Sequence, residues 1–216
     1  MSFITFEGID GCGKSTNAGI VASSMQENGK DVVFTKEPGA PDSKICVQLR
    51  EIALNPDSNL DKDTAELFIM MADRAQHVNE IIVPALHSNK EVISDRYIDS
   101  TIAYQGFGRR RGVDLGMIES FNKVACCGVI PDLTIIFDID VKLAMSRTTK
   151  SEFGKHDVFE KEDIEFHKRV ASGFEYVYNN RFKNNRHVEK VKVTEDMNEN
   201  DVFAEVKAVL DTYKLW

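Results

Sequence analysis

Short apolar runs alternate along this chain with longer stretches in which apolar residues recur every three or four positions. Phe3 to Phe6 is an apolar run ending in a glycine-rich turn, and Ser15 to Asn28 then has helical spacing. Asp31 to Thr35, rich in β-branched residues, predicts a second strand that stops at Glu37-Pro38-Gly39. Helical patterns follow over Lys44 to Leu54 and, after a polar break from Asn55 to Leu60, over Thr64 to His87. In the second of these, Leu67, Met70 or Met71, Val78, Ile81 and Ile82 fit one buried stripe, and Pro84 is expected to kink the end. Glu91 to Ser94 predicts a third strand. The polar, glycine-containing stretch from Ser100 to Gly112 reads as a connection to a helix over about Asp114 to Cys127. Pro131 and Asp132 open a fourth strand running to Phe137, and Asp140 to Thr149 predicts a helix. Glu160 to Arg181 is a long amphipathic helix, Val188 to Val193 a fifth strand, and Asn200 to Tyr213 the last helix.

Strands alternating with helices of this length call for an α/β fold of three layers: a five-stranded parallel sheet covered by helices on both faces. Right-handed crossovers then put the functional loops at the carboxyl edge of the sheet. No linker divides residues 1–216, so a single domain is expected, with a subregion at about 147–159 set apart as a lid. The formal net charge of -8 and the absence of a long basic tract speak against a nucleic-acid surface. Cys12, Cys46, Cys126 and Cys127 show no metal-ligand spacing and read as reduced thiols of a cytoplasmic protein. Neither a leader pattern nor an apolar run of about 20 residues is present, so no membrane association is expected. The histidines lack H-x-x-x-H spacing or cysteine partners, and none is assigned to a metal.

The chemistry begins at Gly8-Ile9-Asp10-Gly11-Cys12-Gly13-Lys14-Ser15, which fits G-x-x-x-x-G-K-[ST] and is followed by Thr16. Placed between a strand and a helix, this is a phosphate loop, and it makes the fold a P-loop NTPase fold. Converging backbone N–H groups and the helix start would hold the phosphates of ATP. Lys14 would reach the β and γ phosphates, and the Ser15 hydroxyl would sit on Mg²⁺. No guanine-selecting Asn-Lys-x-Asp follows. Instead Arg74, Arg96, Arg109, Arg110, Arg111 and Arg147 are dispersed over separate segments. Such a set suits a kinase of a small anionic acceptor, in which two negatively charged substrates must be brought together. Of the arginine triplet, Arg109 is taken as functional and the other two are left open.

The order and spacing of several short pieces resemble the thymidylate kinase family over most of the chain. They are Phe6-Glu7-Gly8-Ile9-Asp10-Gly11 through Thr16, Glu37-Pro38-Gly39, Ala72-Asp73-Arg74-Ala75-Gln76-His77, Asp95-Arg96-Tyr97, and Ser100 with Ala103-Tyr104-Gln105-Gly106. The resemblance implies transfer of the γ-phosphoryl of ATP to thymidine 5′-monophosphate (dTMP), with Mg²⁺ and a homodimer. The alternatives are another pyrimidine nucleoside monophosphate as acceptor, or a nucleotide-binding regulator without turnover. It also implies that Arg96 holds the acceptor phosphate and that Asp95 helps organise Mg²⁺. Arg74 would hydrogen-bond the exocyclic oxygen of thymine, with Ser100 and Thr101 by the base edge. Tyr104 would lie near the sugar, Asp10 near the 3′-hydroxyl or the metal, and Glu37 near the reacting phosphates, with Pro38 and Gln105 completing the acceptor site.

Two departures from the family pattern stand out. Met70 replaces the phenylalanine usual four residues before Arg74. Phe68, two residues earlier and so roughly 200° round the helix from Met70, should point away from the base. A thioether can cover a base face, but without the fixed shape of a ring. After the lid, Asp157-Val158-Phe159-Glu160 lacks the family's arginine. The phosphate loop carries no arginine either, so the charge over the transferring phosphoryl falls to Arg147, Lys150 or Lys155. A phosphate acceptor is already ionised at neutral pH, so no general base is required.

Overall fold

The computed structural model describes residues 1–109, 114–148, 158–159, 161–180 and 186–216. Five strands form one sheet: β1 (Phe3–Gly8), β2 (Val32–Lys36), β3 (Glu91–Asp95), β4 (Leu133–Ile139) and β5 (Val188–Val193). Their order is β2-β3-β1-β4-β5 and every pairing is parallel. Phe3 pairs with Val92 on one side and Ile4 with Leu133 on the other, which makes β1 the central strand.

Every residue of β1 is buried, as expected for a strand covered on both faces. Ile4 and Phe6 join the core cluster that includes Ala18, Val21 and Met25 of α1 (Lys14–Glu27) and Val202, Val206 and Leu210 of α9 (Glu199–Thr212). Phe3, on the opposite face, packs with Val78, Ile82, Val92 and Tyr97. Thr5 and Glu7 share that second face as buried polar groups. Thr5 meets Thr134 of β4 at 2.9 Å between hydroxyl oxygens.

The remaining helices are α2 (Lys44–Leu54), α3 (Thr64–His77), α4 (Val83–His87), α5 (Ile98–Thr101), α6 (Leu115–Ala125), α7 (Val141–Thr148) and α8 (Ile164–Asn180). Local chemistry sets several of their starts. Ser43 accepts from the Cys46 N–H, Asp114 from the Met117 N–H, and Asn198 with Asp201 forms a capping box. No helix among the described residues is long and apolar enough to cross a membrane.

Two sequence expectations are corrected. The helix expected over Thr64 to His87 is three segments, because a π-helical stretch over Val78–Ile82 separates α3 from α4. Pro84 has no N–H for the ladder and falls in the first turn of α4. The wider turn lets the Val83 N–H bond the Val78 carbonyl before the proline. The stretch from Ser100, read as a connection, is helical: α5 continues as a π-helix over Ile102–Gly108. Its glycines and polar residues masked a buried element. Gly173 of α8 lets that helix come so close that a Cβ there would stand 2.6 Å from Ala103 Cα.

Candidate active site

The carboxyl ends of β1, β2 and β3 converge on a cavity of about 550 Å³. Asp10, Lys14 and Ser15 line it from the phosphate loop, Glu37 and Pro38 from the turn after β2, and Met70 and Arg74 from α3. Asp95, Arg96, Ser100, Thr101, Tyr104 and Gln105 close the other side. All the residues assigned from sequence to the acceptor therefore face one space.

The phosphate loop has the backbone that its sequence requires. Gly11 takes φ +81°, and a Cβ there would lie 2.2 Å from the Ala144 carbonyl oxygen, so no side chain fits where α7 closes on the loop. Lys14 Nζ lies 3.5 Å from Asp10 Oδ1. The Ser15 hydroxyl donates to Asp95 Oδ2 at 2.5 Å, while Asp95 Oδ1 is buried without a partner.

Arg96 follows β3 with φ +73°, a left-handed conformation uncommon for a side-chain-bearing residue. Its N–H donates to the Phe6 carbonyl, and its own carbonyl accepts from Ser94 Oγ at 2.8 Å. The N–H bond extends the β1–β3 ladder by one residue, and Arg96 Nη1 donates to the Gly8 carbonyl and to Ser100 Oγ, each at 3.0 Å. Nη2 bonds Asp10 Oδ1 and, at 3.1 Å, the Tyr104 hydroxyl. Tyr104 in turn donates to Asp10 Oδ2 at 2.7 Å. Burial would push the Asp10 carboxyl up, but the Arg96 guanidinium and the Lys14 ammonium outweigh it and hold Asp10 well below the usual carboxylate range.

Arg74 is buried, and its five N–H groups are all engaged. Nε and Nη2 donate to Glu37 Oε2 at 2.9 and 2.7 Å, and Nη2 also to the Tyr97 carbonyl at 2.9 Å. Nη1 donates to Thr101 Oγ1 at 2.8 Å and to Asn122 Oδ1 at 2.5 Å. The other Glu37 oxygen lies 2.9 Å from His77 Nδ1, whose Nε2 lies 2.8 Å from Thr35 Oγ1. Burial raises the Glu37 carboxyl, yet Arg74 and His77 together bring it below its ordinary value. As an ionised carboxylate only accepts, His77 Nδ1 carries the proton of that contact. Met70 lines the cavity, whereas Phe68 is exposed and sets its ring against Phe121.

Arg147 lines a second cavity of about 420 Å³ with Gly11, Gly13 and Thr16 of the phosphate loop and Asn198 and Val202 at the start of α9. The loop thus borders both cavities. Lys150, Lys155 and most of the segment expected as a lid lie outside the described residues, as do Arg110 and Arg111. Arg109 makes buried pairs. It donates from Nε and Nη2 to Glu66 at 3.2 and 2.7 Å and from Nη1 to Glu162 at 2.5 Å, with Phe159 and Phe166 each 5.0 Å from its guanidinium.

Sequence reasoning passed over several residues. Lys36 and Arg50 line the main cavity, and Arg50 Nη1 donates to the Pro38 carbonyl at 2.8 Å. Burial and the neighbouring Arg50 push the Lys36 ammonium down. Arg50 sits on an ordinary amphipathic helix, and its one clue was the place of α2 directly after the Glu37 turn. Glu7 accepts from the Tyr97 N–H at 2.7 Å and from the Ser100 hydroxyl at 2.6 Å, so it braces the residue that braces Arg96. Burial, with Asp99 nearby, raises its carboxyl to about 7. Arg186 forks onto Asp99 at 2.6 and 2.5 Å, behind the same turn. Glu7 abuts the phosphate loop and Lys36 the Glu37 turn, whereas Arg50 and Arg186 stand apart from every motif in the sequence.

Residues 6–200 match the thymidylate kinase family. The chain belongs to the thymidylate kinase family. It is 42% identical over 211 residues to a thymidylate kinase of Maridesulfovibrio salexigens, which covers 95% of this chain and 93% of that protein. The thymidylate kinase of Halothermothrix orenii is 41% identical over 180 residues, covering 83% of this chain and 84% of its own. A crystal structure of the thymidylate kinase from Ehrlichia chaffeensis superposes with a TM-score of 0.74 at 35% identity, over 97% of this chain and 98% of that one. Membership of this family of P-loop nucleoside monophosphate kinases accords with the parallel sheet and with a phosphate loop facing an arginine-bearing cavity.

Proposed function

We propose that this chain transfers the γ-phosphoryl group of ATP to dTMP, giving dTDP and ADP. The observation that carries the reading is Arg96, a guanidinium tied to the Gly8 carbonyl of the phosphate loop while it lines the acceptor cavity. An acceptor phosphate held there lies directly against the donor's terminal phosphate. Lys36 and Arg50 add positive charge to the same cavity, which favours a dianionic acceptor. Lys14 and the loop amides bind the donor phosphates, and the second cavity beside Arg147 takes the donor's base and sugar. The cationic stretch from Arg147 through Lys150 to Lys155 supplies further charge over the transferring group.

Ser15 and Asp95 suit Mg²⁺. The hydroxyl already meets one carboxylate oxygen, and the other is a buried acceptor with no partner. Among the described residues no cluster of three or more His, Cys, Asp or Glu side chains is placed to hold a metal, so phosphates and water would complete such a site. When bound, the ion would neutralise charge on the donor phosphates. The protein's own work is alignment. Arg96, Asp10 and Tyr104 fix one substrate against the other, and the acceptor oxygen needs no base.

On the acceptor side, Met70 covers the base, and Tyr104 with Asp10 occupies the sugar end. The reading includes a cytoplasmic homodimer. Support for the dimer comes from the exposed Phe68 on α3 and Met117 and Val124 on α6, two helices that pack together. The test is ADP release from ATP and Mg²⁺ with dTMP, dUMP, dCMP or AMP against a blank without acceptor. A strong preference for dTMP is expected. Hydrolysis independent of acceptor, or no turnover, overturns the kinase reading, and preference for another acceptor overturns the choice of base.

A further inference from the structure

Behind the acceptor cavity lies an acid that does not line it. Glu66 of α3 is 1% exposed, and its Oε1 accepts from Gln105 Nε2 at 2.8 Å. Gln105 does line the cavity. An amide side chain can present either its oxygen or its NH₂ to a ligand, and which it presents depends on what holds the other end. Here the other end meets a carboxylate, which accepts only. Arg109 reinforces this, because its Nε and Nη2 donate to the two oxygens of Glu66 and keep the group an acceptor. The Gln105 amide is therefore pinned by its nitrogen, and its Oε1 has no donor among the described residues.

One turn earlier on the same helix, Thr101 Oγ1 accepts from Arg74 Nη1 at 2.8 Å. Its hydroxyl hydrogen has no acceptor among the described residues and is free for the cavity. Thr101 and Gln105 together present a hydroxyl donor beside an amide acceptor. The imide edge of thymine or uracil, a carbonyl next to an N–H, complements that pair. Cytosine presents an amino group next to a bare ring nitrogen, the reverse order, and would set its acceptor against Gln105 Oε1.

We propose that Glu66 is a positioning residue for base selection: by holding the Gln105 amide nitrogen it commits Gln105 Oε1 to the N–H of an imide base and so rejects cytosine. The inference rests on the acceptor cavity proposed above and names what that cavity reads.

The experiment is equilibrium binding of dTMP, dUMP and dCMP, without ATP, to the wild type and to Glu66→Gln. Glutamine at 66 can donate as well as accept, so the Gln105 amide can turn over. The dTMP:dCMP affinity ratio is expected to fall by about tenfold or more, with dTMP and dUMP weakened alike. A purely structural role would weaken all three equally. Glu66→Gln leaves Arg109 short of a counter-charge, so Glu66→Gln/Arg109→Met replaces it if the single variant does not fold. A folded variant that keeps the wild-type ratio overturns the proposal, as does a wild type that binds dCMP as tightly as dTMP. A wild type that selects dTMP in this assay but releases no ADP with it fails the kinase reading and leaves the base reading standing.

Discussion

The hydroxyl of Tyr104 donates to Asp10 Oδ2 at 2.7 Å, so a residue of the π-helix after β3 is joined to the middle of the phosphate loop. Arg96 closes the triangle by reaching both partners. Burial pushes the Tyr104 phenol far up, which keeps it a donor at every working pH. Tyr104→Phe is expected to cost about 1–2 kcal/mol of stability. It should raise the acceptor KM roughly tenfold, with little change in the KM for ATP. Steady-state kinetics in both substrates checks this, and an equal rise in both constants counts against it.

Arg74 and Glu37 form an enclosed ion pair at 2.7 Å, with side chains only 3% and 4% exposed. Removing one partner strands the other's charge in the core. Arg74→Met is expected to lose about 3–5 kcal/mol in urea unfolding, and Arg74→Met/Glu37→Met should recover part of that loss. A single-variant loss below about 1 kcal/mol would show that water reaches Glu37 freely.

Glu7 offers a pH test. Its carboxyl rises from 4.5 to about 7 on folding, so the native state holds the proton more tightly than the unfolded chain does. This contribution to stability is fully present below pH 4.5, declines as the pH rises, and is gone above about 7. Its size is on the order of 3 kcal/mol. Glu7→Gln still accepts from the Tyr97 and Ser100 N–H groups and cannot ionise, so its unfolding free energy should vary less between pH 5 and 8 than that of the wild type. Parallel curves for the two proteins would refute the shift.

Gly11 tests the phosphate loop. Its φ of +81° and the 2.2 Å approach to the Ala144 carbonyl leave no room for a methyl group. Gly11→Ala is expected to weaken binding of a fluorescent ATP analogue by more than about tenfold and to cost about 1–3 kcal/mol of stability. Unchanged binding would mean that the loop moves aside without consequence for the donor.

The five strands and the phosphate loop were legible in the sequence because each has a local signature: an apolar run of strand length, or fixed glycines before a lysine. Positions such as Arg96 and Tyr104 were legible through the family resemblance. What escaped depends on contacts across the fold. The helix from Ile98 to Gly108 was hidden by its glycines and polar residues, which are buried because α8 lies against them through Gly173. Glu66 looked like one more polar residue near the start of a helix, and only the structure puts Gln105 and Arg109 on its carboxylate. The sequence placed Arg74 in the acceptor pocket; that its donors are already spoken for is a fact of five hydrogen bonds to four residues, Glu37, Tyr97, Thr101 and Asn122.

Because β1 is the middle strand, its neighbours are made long after it. Phe3 waits for Val92, and Ile4 for Leu133. β1 therefore has no sheet partner until β3 (Glu91–Asp95) has been made, and folding begins with loops that are costly to close. Until then the apolar run from Phe3 to Phe6 is an unpaired strand open to association with other chains, and it is here that slow synthesis, a chaperone or a charge nearby should govern yield. The pairing that brings the phosphate loop beside Arg96 cannot form before β3 is made, so a chain stalled short of it would have a phosphate-loop sequence but no nucleotide site.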